Sequence, residues 1–247
     1  MLAHERQAEL QRLIEEHGTV VVSELARHWE ISEMTVRRDL KLLEERGIVS
    51  RVHGGAVASG ALRWRARLDQ DRGVKEQAVS KLTAFLPEFG CIYLDGSTTI
   101  FHLIDAMDRA SGLTVATNNV DTLQRLAACP GVRPVLIGGR LNEATDNLVG
   151  PVARRSLEAL AFDAAFFSAY AIDVELGCSE PELEDAEVKN WVIERSAAQY
   201  LAINHQKLGQ RAAGVWVSDP TTTTLATDLA PDDPQVAAFA ARAARIL

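Results

Sequence analysis

Over residues 4–17 the apolar side chains Leu10, Leu13 and Ile14 fall on one stripe of a helix, and Gly18 stands where that helix would stop. Val20, Val21 and Val22 form a short extended link. Ser23 then offers an N-cap oxygen to a shorter second helix with Leu25, Ala26 and Trp29 on its inner face. Ile31 and Ser32 make a tight turn, and Ser32 caps a third helix over 34–45, in which Val36, Leu40 and Leu43 recur at helical spacing. At about 100° per residue, Met34, Arg37, Arg38 and Lys41 project from the opposite side. Gly47 ends this helix, residues 48–53 alternate like a strand, and Gly54-Gly55 forms the tip of a hairpin. Two short helices, a tight turn, a basic third helix and a glycine-tipped hairpin describe a winged helix-turn-helix. In that motif one helix reads base edges while flanking parts grip phosphate.

Charge narrows what such a head can do. The formal net charge is −8, which excludes coating nucleic acid through a broad basic surface, so any DNA contact must be local. Between residues 37 and 51 the cations Arg37, Arg38, Lys41, Arg46 and Arg51 outnumber Asp39, Glu44 and Glu45. Taken alone, Arg37, Arg38 and Lys41 could equally be a solvated face with partners one turn away. The order of elements around them favours a strip that enters a major groove.

Residues 56–74 lack apolar periodicity and carry a dense run of charge, so they read as a linker that becomes helical near Lys75. The expected organisation is a head over 1–57, a linker over 58–74 and an α/β domain over 75–247. In that domain, apolar runs at 91–94, 113–116, 135–137, 164–167 and 200–203 alternate with amphipathic helical stretches. Such alternation predicts a mostly parallel sheet covered by helices, with ligands bound beyond the strand C-terminal ends. Residues at those ends are polar or small. Asp95, Gly96, Ser97, Thr98 and Thr99 lead into a helix over 100–107, a turn that could cradle phosphate or simply cap the helix. Thr117 and Asn118, then Gly138 and Gly139, follow the next two runs, and Gly150-Pro151 opens another helix. Residues 236–246 read as an Ala-rich amphipathic tail helix.

The segment over 21–57, with Ser-Glu-Leu-Ala (23–26), Ile-Ser-Glu-Met-Thr-Val-Arg-Arg-Asp-Leu (31–40), Leu-Glu-Glu-Arg-Gly-Ile (43–48) and Arg-Val-His-Gly-Gly-Ala (51–56), strongly resembles the N-terminal domain of the DeoR family of bacterial transcriptional regulators. The resemblance implies that Ser32, Glu33, Thr35, Arg37 and Arg38 lie on or beside the recognition helix, to which the basic strip adds Lys41, and that Arg51, His53 and Gly54 lie in the wing region. Residues 75–228 resemble the family's effector domain through Asp-Gly-Ser-Thr-Thr (95–99), Thr117-Asn118, Gly138-Gly139, Val-Gly-Pro (149–151), Glu-Val-Lys (187–189) and Lys-Leu-Gly (207–209). That domain is similar in fold to ribose 5-phosphate isomerases, and family members commonly sense phosphorylated sugars. By resemblance, Gly96, Ser97, Thr98 and Thr99 face a phosphate, with Asp95, Thr117, Asn118, Lys189 and Lys207 around the sugar; Gly138 and Gly139 join the same crevice from their place after a strand, and on its own Lys189 reads equally as a surface cation. Two departures stand out. Ser168-Ala169-Tyr170 replaces a Gly-Ala pair followed by a small or polar residue, and Asn204-His205-Gln206-Lys207 replaces Asp-Ser-Ser-Lys, so a bulky ring and the loss of a carboxylate would alter the pocket.

The expected function is a sequence-specific DNA-binding regulator, a repressor of a carbohydrate operon, whose affinity for double-stranded operator DNA is set by a sugar phosphate or related metabolite. An alternative is a sugar-phosphate isomerase with a DNA-binding head, for which Asp95, Glu184, Asp185 and Glu187 are available as bases. A constitutive architectural DNA-binding protein is a further alternative. Helix-turn-helix proteins pair on half-sites, so a homodimer or homotetramer on a repeated or palindromic operator is expected. No apolar run is long enough to span a bilayer and the start lacks a secretory apolar segment, so a cytoplasmic protein is expected. Cys91, Cys129 and Cys178 are too dispersed for a metal site and read as buried reduced thiols, and neither cofactor nor metal is expected.

Overall fold

A computed structural model describes residues 2–216 and 221–247, apart from the side chains of 60–63 and 65. The chain divides into two compact units, Met1–Gln70 with Glu143–Thr145, and Asp71–Asn142 with Asp146–Leu247.

The smaller unit runs α1 (Ala3–His17), β1 (Thr19–Val21), α2 (Val22–His28), α3 (Glu33–Glu45), β2 (Val49–Val52), β3 (Gly55–Ala58) and α4 (Gly60–Asp69). Its strands form an antiparallel sheet in the order β1-β3-β2. The stripes read from sequence meet in one core of Leu10, Ile14, Leu25, Val36, Leu40, Leu43 and Ala56, with Trp29 packed at its margin. Local details differ from expectation. Ser23 does not cap α2. The cap position falls on Val21, and the Val22 N–H goes to the Gly54 carbonyl at 2.9 Å, so a tertiary bond replaces the expected side-chain cap. The hairpin turns at His53-Gly54, because Val52 already pairs with Gly55. Gly54 supplies the positive φ of +82°, whereas a Cβ on Gly55 would lie 2.1 Å from the Val20 carbonyl oxygen. One glycine serves the turn and the other the approach of β1. The stretch read as an irregular linker contains helix α4, which packs on α1 with Trp64 buried.

In the larger unit, β4 (Cys91–Leu94), β5 (Leu113–Thr117), β6 (Val132–Leu136), β9 (Ala164–Phe167), β12 (Gln199–Ile203), β14 (Thr223–Thr227) and β15 (Arg245–Ile246) build a seven-stranded sheet in the order β15-β14-β12-β9-β4-β5-β6. Every pairing in it is parallel. Successive residues enter opposite cores: Tyr93, Ala165, Phe167 and Leu201 on one face, Ile92, Leu94, Phe166 and Ala202 on the other. Burial on both faces is why these strands read as unbroken apolar runs. Helices α5 (Arg72–Ser80), α6 (Thr98–Phe101), α7 (Val120–Ala127), α8 (Pro151–Glu158) and α9 (Leu183–Ile193) connect and cover them. The expected helix over 100–107 is instead α6 followed by a 3-10 helix, His102–Arg109. A hairpin of β7 (Arg140–Asn142) and β8 (Asn147–Val149) and a small antiparallel sheet of β10 (Ala171–Asp173), β11 (Gly177–Glu180) and β13 (Gly214–Trp216) are added at the strand ends.

The expected tail helix does not form. Only α10 (Pro234–Ala237) and a 3-10 turn at Ala240–Arg242 are helical. The chain then joins the sheet as β15, with the Ala244 and Leu247 amides bonded to the Thr223 and Leu225 carbonyls. Burial of Val236 and Phe239, together with these edge bonds, overrides the helical preference of the alanines. At the opposite edge, Pro134 occupies the middle of β6. Cys178 is buried and burial pushes its thiol up to about 12, while Cys91 and Cys129 are half-buried.

Candidate functional site

On α3, Ser32 accepts the Thr35 N–H at 3.2 Å through its side-chain oxygen, the N-cap that the sequence predicts. Met34 is 74% exposed, and Glu33, Arg37, Arg38 and Lys41 also face solvent, with Thr35 half-buried between them. Arg37 pairs with Glu33 at 3.1 Å and Lys41 with Glu45 at 3.8 Å, both on the surface. Arg38 has no ion pair among the described residues. In the hairpin, Arg51 holds Glu44 at 2.7 Å, a bond that lowers the Glu44 carboxyl below its usual range, and His53 and Gly54 form the tip. The inner face carries a feature that sequence periodicity misses. Asp39 is buried and takes Arg6 Nε at 2.5 Å and Gln7 Nε2 at 3.2 Å, tying α3 to α1. Exposed pairs contribute about 0–1 kcal/mol each, so Arg37, Lys41 and Arg51 can exchange their carboxylates for phosphate at little loss.

The larger unit gathers its polar residues where the chain changes direction across the sheet. From β4 it proceeds outward to β5 and β6, then returns to the other side of β4 for β9, β12 and β14. The crevice of such a sheet opens between the C-terminal ends of β4 and β9. Asp95, one residue past β4, is almost fully buried. Its Oδ1 accepts Ser97 Oγ at 2.5 Å and Ser97 N–H at 3.1 Å, and its Oδ2 accepts Ser168 N–H at 2.9 Å. Ser97 Oγ also caps Ile100 N–H at 3.2 Å. The turn therefore caps its own helix and already holds one carboxylate, leaving Thr98 and Thr99, both buried, at the start of α6 where backbone N–H groups lack intrahelical partners. Gly96 has a packing reason to be glycine: a Cβ there would meet Asn147 Oδ1 at 1.9 Å.

Lys189 is buried, which corrects the reading of it as a surface cation. Its Nζ lies 2.5 Å from Glu180 Oε1, 3.3 Å from Asp95 Oδ2 and 2.6 Å from the Ser168 carbonyl, and 5.0 Å from the Trp216 ring centre. Burial alone would lower this ammonium, but Glu180 and Asp95 outweigh it and raise it above the ordinary lysine value. Lys207 differs. Its Nζ donates to the Ala169 carbonyl at 2.6 Å and to Ser168 Oγ at 3.3 Å, with no carboxylate in contact among the described residues, and burial pushes it down to about 8.

At the end of β5, Thr117 is fully buried, and just beyond it Asn118 accepts Tyr93 OH at 2.8 Å while donating to the Leu148 carbonyl at 3.2 Å. Asn119 caps α7 through Thr122 N–H at 2.9 Å. Gly138 and Gly139 lie in the loop after β6, where a Cβ on Gly139 would come within 2.8 Å of the Val149 carbonyl oxygen. Structure thus joins Asp95, Ser97, Lys189 and Lys207 through Ser168 and links Gly96 to Asn119 through Asn147. No direct bond connects Gly138 or Gly139 to either group among the described residues. Tyr170 is 57% exposed, so the expected added bulk points to solvent rather than filling an interior pocket. Glu180 was missed because it has no local pattern, and Ser168 stood out only as a departure from the family pattern: they converge only when β9, β11 and α9 pack. Asp185 likewise is buried and binds the amides of Asn142 and Asn147 at 2.9 and 2.8 Å. Among the described residues no group of three or more His, Cys, Asp or Glu is placed to hold a metal ion, and no helix is long and apolar enough to cross a membrane.

Comparison with known proteins places both units. Residues 6–60 match the DeoR-like helix-turn-helix domain and residues 71–228 the DeoR C terminal sensor domain. The chain is 30% identical to the HTH-type transcriptional regulator FruR of Bacillus subtilis (strain 168), itself described as uncharacterised, over 92% of each chain. It is 30% identical to the lactose phosphotransferase system repressor of Staphylococcus aureus (strain NCTC 8325 / PS 47), over 85% of this chain and 86% of that one. It is 27% identical to the HTH-type transcriptional regulator IolR of Bacillus subtilis (strain 168), over 82% of each. Among solved structures, ribose 5 phosphate isomerase A from Neisseria gonorrhoeae aligns at 14% identity with a TM-score of 0.35, over 60% of this chain and 52% of that one. With a family head and a family sensor domain in succession on one chain, the protein belongs to the DeoR family of transcriptional regulators.

Proposed function

We propose that this regulator represses a carbohydrate-metabolism operon and that a sugar phosphate or related metabolite, bound at the C-terminal ends of β4, β5, β9 and β12, controls its affinity for operator DNA. The observation that carries the reading is the pair of ammoniums, buried Lys189 and half-buried Lys207, meeting at Ser168 beside the Gly96–Thr99 turn. Lys189 is neutralised within the protein, whereas Lys207 awaits an anion. Thr98 and Thr99 add first-turn N–H groups suited to phosphate oxygens. Operator contact falls to Arg37, Arg38 and Lys41 with Ser32, Glu33 and Thr35 on α3, and to Arg51, His53 and Gly54 in the hairpin. The carbohydrate link is supported by relatives such as the lactose phosphotransferase system repressor. A homodimer or homotetramer on paired half-sites suits a helix-turn-helix head. An isomerase reading has less support, since both oxygens of Asp95 and of Asp185 are engaged by protein donors and Glu184 pairs with Arg140.

Titrating sugar phosphates into the protein with and without operator tests the coupling. An affinity ratio of about 5 to 150, corresponding to 1–3 kcal/mol, is expected. Identical binding in both titrations would defeat the proposal.

A further inference from the structure

Three equivalent positions, each just beyond a strand of the parallel sheet, use their side chains differently. After β4, Ser97 gives its oxygen to Ile100 N–H, and after β5, Asn119 gives its oxygen to Thr122 N–H. After β12, Asn204 stands at the N-cap of the 3-10 turn His205–Lys207, yet its side chain caps nothing, and Lys207 N–H goes to the Asn204 backbone carbonyl at 3.1 Å. Asn204 is 4% exposed and its Oδ1 has no hydrogen-bond partner among the described residues. A buried acceptor left unmade costs about 1–3 kcal/mol, so such atoms are rare unless something outside the chain satisfies them. Neighbouring donors are committed elsewhere. Ser168 N–H goes to Asp95, Lys207 Nζ to Ala169 and Ser168, and the His205 amide and ring to Asp228 at 2.7 and 2.5 Å. Strand pairing of β12 with β9 and β14 sets Asn204 between the end carrying Ser168 and the end carrying Asp228, which is the crevice assigned above to the effector.

We propose that Asn204 is a specificity-determining residue of the effector site, its buried carboxamide oxygen accepting a hydrogen bond from a hydroxyl of the effector. This rests on the effector reading of that crevice. The missing donor is a neutral hydroxyl rather than an ammonium, because Lys207 already places one cation here without a carboxylate in contact among the described residues, and Asn204 brings no negative charge to offset another. The effector is then a polyol whose anionic group and one particular hydroxyl are read separately, by Lys207 and by Asn204.

The test uses the full chain, hexose 6-phosphates, ribose 5-phosphate and their free sugars, each beside its monodeoxy analogues, with operator release and melting temperature as readouts. For wild type, one monodeoxy analogue should bind about tenfold more weakly than its parent, the worth of one hydrogen bond to a buried partner. In Asn204→Ala and Asn204→Leu, parent and that analogue should bind alike. Asn204→Leu, which replaces the orphan acceptor by an apolar group of similar size, should keep or raise the melting temperature of the free protein. A melting temperature lowered by several degrees in Asn204→Leu would assign Asn204 to the fold and overturn the proposal. So would an unchanged parent-to-deoxy ratio in both variants. A wild type that responds to no compound of the panel removes the effector reading itself, a different outcome from a responding wild type whose variants respond equally.

Discussion

On α3 of the head, Arg37 and Lys41 lie in water with carboxylates one turn away, whereas in the sensor unit Lys189 is enclosed by Glu180, Asp95 and the Ser168 carbonyl. The same residue chemistry does opposite work. Solvated pairs are weak enough to be exchanged for a polyanion, and among the described residues Arg38 has no pair to give up. A buried pair cannot be exchanged without leaving an uncompensated charge, so it fixes the geometry around it. Partners of the head are thus met by replacing surface contacts, and partners of the sensor by filling what its enclosed network leaves open.

Substitutions can break this contrast. Lys189→Met should have the largest effect, lowering stability by about 3–5 kcal/mol in denaturant unfolding, since Asp95 and Glu180 lose their buried counter-ion. A loss below about 1 kcal/mol would mean that Lys189 is hydrated and that the two units treat charge alike. Arg38→Ala should weaken operator binding by about 1–3 kcal/mol if it reads a base, with stability unchanged to within about 0.5 kcal/mol. Unaltered operator binding would remove Arg38 from the DNA-contacting set.

Lys207 sharpens the comparison through pH. Its folded value, about 8, lies below the 10.5 of an ordinary lysine, so between those limits the unfolded chain holds the proton that the folded chain has released. Stability should therefore rise with pH across that window, with a slope of at most about 1.4 kcal/mol per pH unit, and Lys207→Met should abolish the rise. Affinity for an anionic effector should fall over the same interval as the ammonium loses its charge. Smallest is Ser32→Ala, expected to cost about 1 kcal/mol of head stability through the lost cap. If melting is unaffected but operator binding drops, Ser32 acts on DNA rather than on its helix.

Much of the head was legible because its helices each bury one stripe, as Val36, Leu40 and Leu43 do, and because its turns are marked by glycine. The hairpin tip moved by one residue because sequence does not distinguish a glycine needed for positive φ, Gly54, from one needed for close approach, Gly55. In the sensor unit, apolar runs buried on both faces announced β4, β5 and β9, but β14, with Thr223, Thr224 and Thr227, carried no such run. The Ala-rich tail misled because alanine favours helix wherever tertiary contacts do not object, and here an open sheet edge did. The strand-end turns were readable as polar punctuation. Their wiring was not, since Glu180, Ser168 and Asp185 become neighbours of Lys189, Asp95 and Asn147 only through tertiary packing.

The edges of the larger sheet carry a consequence for self-assembly. Exposed strand edges template pairing between molecules, and short length or proline blunts them. Here β15 spans two residues, and β6 has Pro134 at its centre, where a proline in an edge strand turns its missing donor outward. A ladder extended from either side would stop almost as soon as it began. Copies of this chain are therefore steered away from runaway fibrous stacking and toward closed association through side-chain surfaces.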